Sequence, residues 1–199
     1  MVRKIFASLL LIGISFLAAS KTMLLERIPL ESRPTSKLQL GTTQMTTSTV
    51  TIAIFTDGRD NKEAIGENRE ENEPRAVTTT DDVGAFVSVN LRQLFDRAGI
   101  KTVDNNGAVT VTGEVKKFFV REGNTYQSEV VLQLIVSDPD GKTLWKGLAS
   151  GDAKRFGRSY NAENYYEVLS DALVNTASSM LQAAQFQKAL SGHAVGLGI

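Results

Sequence analysis

The stretch 107–147, GAVTVTGEVKKFFVREGNTYQSEVVLQLIVSDPDGKTLWKG, sets the architecture. Val109, Val111, Gly113 and Val115 alternate with Thr110, Thr112, Glu114 and Lys116, the period-two pattern of a strand with one buried face. Gly123-Asn124 supplies a turn, and Val130, Leu132, Leu134 and Val136 form the inward set of a second strand. Asp138-Pro139-Asp140-Gly141 is a strong turn signal, after which a third strand runs from about Lys142 to Phe156. Three strands joined by two short turns read as an antiparallel meander.

Toward the amino terminus, Ile100 to Val103 fits a short strand, and Gly99 ends the helix before it. That helix is predicted to begin at a cap on Thr80 or Asp81 and to reach about Ala98. Val83, Phe86, Val87, Leu91, Leu94, Phe95 and Ala98 recur at spacings of three and four and give it one apolar stripe. Residues 57–75 are highly charged and broken by Gly58, Gly66 and Pro74, so they read as a long loop. Val50 to Phe55 is apolar on both faces and reads as a buried strand.

On the carboxyl side, Asn161 caps a last helix predicted to run to about Leu190. Tyr166, Leu169, Leu173, Thr176, Met180 and Ala184 mark its inward face. The order is strand, helix, short strand, three-stranded meander, helix, without repeated βαβ units. This predicts an α+β fold, an antiparallel or mixed sheet with two helices packed on one face.

Residues 1–20, MVRKIFASLLLIGISFLAAS, have the makings of an export signal. Arg3 and Lys4 precede an apolar run from Ile5 to Leu17, and Ala18-Ala19-Ser20 offers small residues for cleavage. The run is shorter than the roughly 20 residues a membrane-spanning helix needs. Leu17-Ala18-Ala19 also matches a lipoprotein signal, but Ser20 stands where the lipid-accepting cysteine would be. Residues 21–48, rich in Thr, Ser and Gln, read as an extended tether, the other reading being that Leu24, Leu25, Ile28 and Leu30 pack on the domain surface. The domain then spans 49–190, and 191–199 forms a glycine-rich tail.

Composition narrows the chemistry. Twenty-two basic and 22 acidic residues balance to zero, which gives no electrostatic basis for nucleic-acid binding. There is no cysteine and one histidine, His193. Thiol nucleophiles, thiolate metal sites and paired imidazoles are thereby excluded. No GxSxG, SxxK, GxGxxG or GxxxxGK[ST] pattern occurs. The chain is expected to be no enzyme, with no catalytic, cofactor or metal residues.

Four clusters remain. Asp57, Arg59 and Asp60 lack the spacing of a calcium loop and are expected to form a turn with local ion pairs. Tyr126, Tyr160, Tyr165, Tyr166 and Trp145 are expected to stitch sheet to helix, an aromatic ligand groove being the other reading. Lys154, Arg155 and Arg158 could meet a phosphate, an anionic lipid or lipopolysaccharide. Their structural reading is a solvated strand end with Phe156 in the core. Finally, Val131 and Ile135 fall on the sheet face away from the helices. That face is either half-covered by 21–48 or binds an envelope protein, with Glu67, Glu70 and Glu71 on its rim setting specificity.

Residues 50–181 resemble the YajG-like envelope lipoproteins of Gram-negative bacteria. The resemblance lies in FTDGRDNKEAIG (55–66), DDVGAFVSVNLRQLFDRAGIKTV (81–103), the meander stretch and ENYYEVLSDALVNTASSML (163–181). It implies a periplasm-facing protein tethered to the outer membrane, working through protein contact, with no catalytic residues to carry over. The departure is Ser20, which lacks the lipid-accepting thiol and leaves the fold untouched. The layout is also similar to LptE-like and ABC-transport auxiliary lipoproteins, which would imply an accessory role in lipid or lipopolysaccharide transport.

Overall fold

The computed structural model describes residues 24–40, 48–70 and 72–193. The export segment, Ser20 and Glu71 lie outside the described residues. The organising element is β6 (Val109–Glu122), which pairs along one edge with β7 (Thr125–Ser137) in antiparallel register. β8 (Thr143–Phe156) pairs with β7 in turn, completing the meander. The other edge of β6 takes three short strands end to end, all parallel to it. These are β1 (Val50–Ile52), β2 (Thr56–Asp57) and β3 (Ala64–Asn68). β5 (Thr102–Val103) adds to β1, and β4 (Arg75–Thr78) pairs antiparallel with β3. The result is an eight-stranded mixed sheet.

Inward positions follow the alternation. In β7 every even-numbered residue from Tyr126 to Val136 is buried, while the odd ones between them are half-buried or exposed. A bulge between Val115 and Lys117 shifts the phase of β6, so that Phe118, Val120 and Glu122 follow Val109, Val111 and Val115 into the core. Three helices cover this face: α1 (Val83–Arg97), α2 (Ala162–Gln182) and α3 (Ala184–Leu190). The fold is α+β, with its helices on one face. Gly151 lets α2 approach β8 closely, since a Cβ there would stand 2.3 Å from the Thr176 nitrogen.

The structure departs from expectation at several points. Residues 57–75 are not one long loop, because β3 and β4 form within them and extend the sheet beside β6. The α1 cap is Asp82, whose carboxylate accepts from the Ala85 N–H at 3.0 Å. The last helix is two: Ala183 is extended, and the chain turns there so that Phe186 packs edge-on against Trp145 and Phe95 at 5.1 and 6.3 Å. Phe156 is not in the core. It is the last residue of β8 on the uncovered side and is 87% exposed.

Residues 24–40 are extended, but they are docked rather than free. The Leu25 side chain is buried, and the Thr78 N–H donates to the Leu25 carbonyl at 3.0 Å. Farther along, the Arg33 N–H donates to Ser170 Oγ, those of Thr35 and Ser36 to Asp171, and that of Gln39 to Ser178 Oγ, at 2.6 to 2.9 Å. The segment is therefore a strap along α2, on the helix side. It does not cover the opposite sheet face.

Candidate functional site

Among the described residues, helices and strap lie on one side, and the other face of β6, β7 and β8 is bare. Register sets its rows. Thr112, Ile135 and Lys146 lie abreast, then Glu114, Gln133 and Leu148, then Lys117, Val131 and Ser150, then Phe119, Glu129 and Asp152. Val131 and Ile135 are half-buried, as single apolar residues among polar neighbours, while Leu148 is 69% exposed. Lys117 donates to Glu129 at 2.5 Å, and Lys116 pairs with Glu114 at 2.9 Å. A shallow depression of about 340 Å³ lies over the lower rows, with Phe119 among Lys117, Arg121, Glu129, Asp152 and Lys154.

The cations expected to act together are separated. Lys154 points to the bare face. Arg155 points the other way and is paired with Glu167 of α2. Arg158 lies beyond the strand end, where it bonds Asn124 and stands 3.8 Å from Glu70. Strand alternation explains the first split, since adjacent residues face opposite sides. Glu67 is likewise engaged, holding Arg69 at 2.6 Å and Arg121 at 3.2 Å. Glu67 and Glu70 thus lie at the β3 end of the sheet, beside the β6–β7 turn.

Asp57 and Arg59 form the ion-paired turn that their spacing suggested. Arg59 is buried, donates to both Asp57 oxygens at 2.9 and 2.8 Å, and also holds the carbonyls of Ala64 and Lys62. Burial opposes ionisation of Asp57, but the Arg59 hydrogen bonds and charge outweigh it and hold the carboxyl below its usual range. Asp60 is exposed and takes no part in this pair.

A second charged group escaped the sequence reading. Glu122 is fully buried. It accepts from the Tyr165 hydroxyl at 2.7 Å and from the Tyr160 N–H at 2.8 Å, with Tyr126 and Asn68 beside it. Burial again opposes the charge, and these hydrogen bonds outweigh it, so the Glu122 carboxyl is held below its ordinary value. Burial and the neighbouring Glu122 push the Tyr165 phenol well up. Tyr126 and Tyr165 meet edge-on at 5.3 Å, the stitching role expected of the tyrosines. The signal for Glu122 was its phase: past the Lys116-Lys117 bulge, even positions of β6 face inward. Leu148 and Phe119 were missed for the related reason that only register shows which strand residues share a face.

A family model described as uncharacterized lipoprotein matches residues 37–191. No curated protein matches the chain. Among solved structures, the Xanthomonas campestris protein XCC0632 is 11% identical over 77% of this chain and 94% of its own, with a TM-score of 0.55. The PelC dodecamer from Paraburkholderia phytofirmans is 14% identical over 69% of this chain and 90% of its own, at TM-score 0.41. Lipoprotein GNA1162 of Neisseria meningitidis is 11% identical over 54% and 83%, at TM-score 0.34. The first similarity shows a shared fold, and at these identities none shows more.

Proposed function

Because this chain belongs to the Lipoprotein_16 family of uncharacterized lipoproteins, we propose that it is an exported, non-enzymatic protein of the bacterial envelope. It works by protein–protein contact, of the YajG-like type, at the periplasmic side of the outer membrane. The observation that carries this reading is the bare face of β6, β7 and β8. The strap lies on the helix side, so nothing among the described residues covers Ile135, Val131 and the 69% exposed Leu148. A small apolar set ringed by polar and charged residues is the anatomy of a modest protein interface. Its ion pairs, Lys117–Glu129 and Lys116–Glu114, neutralise the middle of the face, while Lys146 and Lys154 outnumber Asp152 toward its ends, which favours a partner matched in shape at the centre.

The lipid-transport reading leaned on Lys154, Arg155 and Arg158 as one anionic-head-group site, and their separation gives it no shared surface. The test is the double variant Ile135→Asp, Leu148→Asp. Leu148 is exposed and Ile135 half-buried among polar neighbours, so unfolding by denaturant, measured alongside, should cost no more than about 1 kcal/mol. Recovery of the native envelope partner by the tagged chain should fall at least tenfold. Undiminished recovery would remove the proposal.

A further inference from the structure

The strap fixes which end of the molecule faces the leader. Leu25 enters the fold beside Tyr160: its N–H donates to the Tyr160 hydroxyl at 3.1 Å. Tyr160 in turn donates its N–H to Glu122 at 2.8 Å, one residue before the β6–β7 turn. Arg158 reaches Asn124 within that turn. From there the strap runs along α2 away from this end, touching Glu163 first, then Ser170 and Asp171, then Ser178. The chain therefore joins residues 1–20 at the end that carries the β6–β7 turn. Ser20 is only four residues from Leu24, a reach of at most about 14 Å fully extended. A free tether over 21–48 would have allowed roughly 90 Å.

The most exposed large apolar side chains include two at this same end, Phe156 at 87% and Leu24 at 54%. The charges around them are largely matched: Arg155 with Glu167, Arg158 with Glu70, and Arg69 and Arg121 with Glu67. We infer that this end, with Phe156 as its apolar tip, rests against the lipid bilayer interface, held there by a short leash. The inference rests on residues 1–20 being retained as the segment that holds the chain at the membrane, since cleavage after Ala18-Ala19 would sever the leash. The contact is led by apolar burial more than by charge: Arg155, Arg158, Arg69 and Arg121 already have carboxylate partners, and Lys154 is the one cation beside Phe156 without an ion pair among the described residues. Burying one phenylalanine ring favours contact on the order of tenfold or more.

The chain has no cysteine, so single cysteines can carry an environment-sensitive fluorophore without background. Gln127→Cys, exposed and abreast of Lys154, reports on the Phe156 end. Asp140→Cys reports on the β7–β8 turn, one 13-residue strand away, roughly 40 Å. The full chain is reconstituted with phosphatidylcholine vesicles carrying a head-group nitroxide, and flotation shows whether it is on the membrane. The expected result is strong quenching at position 127 and none at 140, unchanged by added phosphatidylglycerol or salt. Adding Phe156→Asp should lower the quenched fraction about tenfold with no change in thermal unfolding. Flotation with equal quenching at both positions, or with none at 127, would overturn this inference alone. Quenching that needed phosphatidylglycerol and vanished in salt would overturn it in favour of a charge-led contact. Failure to float would overturn both it and the reading of the leader.

Discussion

At the scale of single residues, the buried charges are structural staples. Arg59 ties Asp57 to the backbone of residues 62–64, and Glu122 gathers Tyr165 and the strained Tyr160, whose φ is +37°. Both carboxyls, Asp57 and Glu122, have folded-state pKa values below their unfolded ones. Each therefore adds stability that is fully present above the unfolded values of about 4 and is lost as pH falls through the folded value. Stability should accordingly drop below about pH 4. Glu122→Gln should cost about 1–3 kcal/mol at neutral pH, as a buried charge-assisted pair becomes a neutral one. It should also flatten the acid limb of the stability curve by about one proton, measured by denaturant titration from pH 2 to 7. An unchanged acid limb would mean that Glu122 is not ionised in the fold.

At the scale of elements, the meander and α1 were legible because each carries a clean period, two in β7 and three-to-four in Val83–Phe95. The strands β3 and β4 were not. Glu67, Asn68 and Arg69 read as solvated loop, yet Asn68 is buried and pairs across β6, so tertiary pairing overrides local polarity. The break at Ala183 was hidden as well, since no Gly or Pro marks it and the burial of Phe186 imposes it from outside the helix. The strap is only partly legible: Leu25 and Leu30 offer apolar groups to pack, but the residues have no period, and the hydrogen bonds that fix them go to Ser170, Asp171 and Ser178, more than 130 positions away. One side chain tests its docking. Leu25→Ala should cost about 2–3 kcal/mol in equilibrium unfolding, as for other buried leucines. A loss under about 0.5 kcal/mol, on the scale of ordinary surface changes, would show the strap is only loosely attached.

At the scale of the whole molecule, the candidate contact face was half legible. Val131 and Ile135 could be placed on it from alternation alone, whereas Leu148 and Phe119 join them only through the register of β8 and β6 on β7. The charged rim was legible as residue types but not as partners, because Glu67 and Glu70 are already bound to Arg69, Arg121 and Arg158. Among the described residues no helix is long and apolar enough to cross a membrane. The described residues thus form a two-sided layer, with helices and strap on one side and a bare sheet on the other.

The most direct test of a contact role for the bare side compares two exposed positions on opposite sides of the fold. Leu148 lies on the open sheet, and Val89, 57% exposed, lies on the outer surface of α1. A photo-crosslinking amino acid at each, in the full chain within intact envelopes, reads out which side is covered by protein. A discrete adduct from position 148, absent from position 89 and lost with Ile135→Asp, is the predicted result. An adduct from position 89 alone, or none from 148, would contradict it.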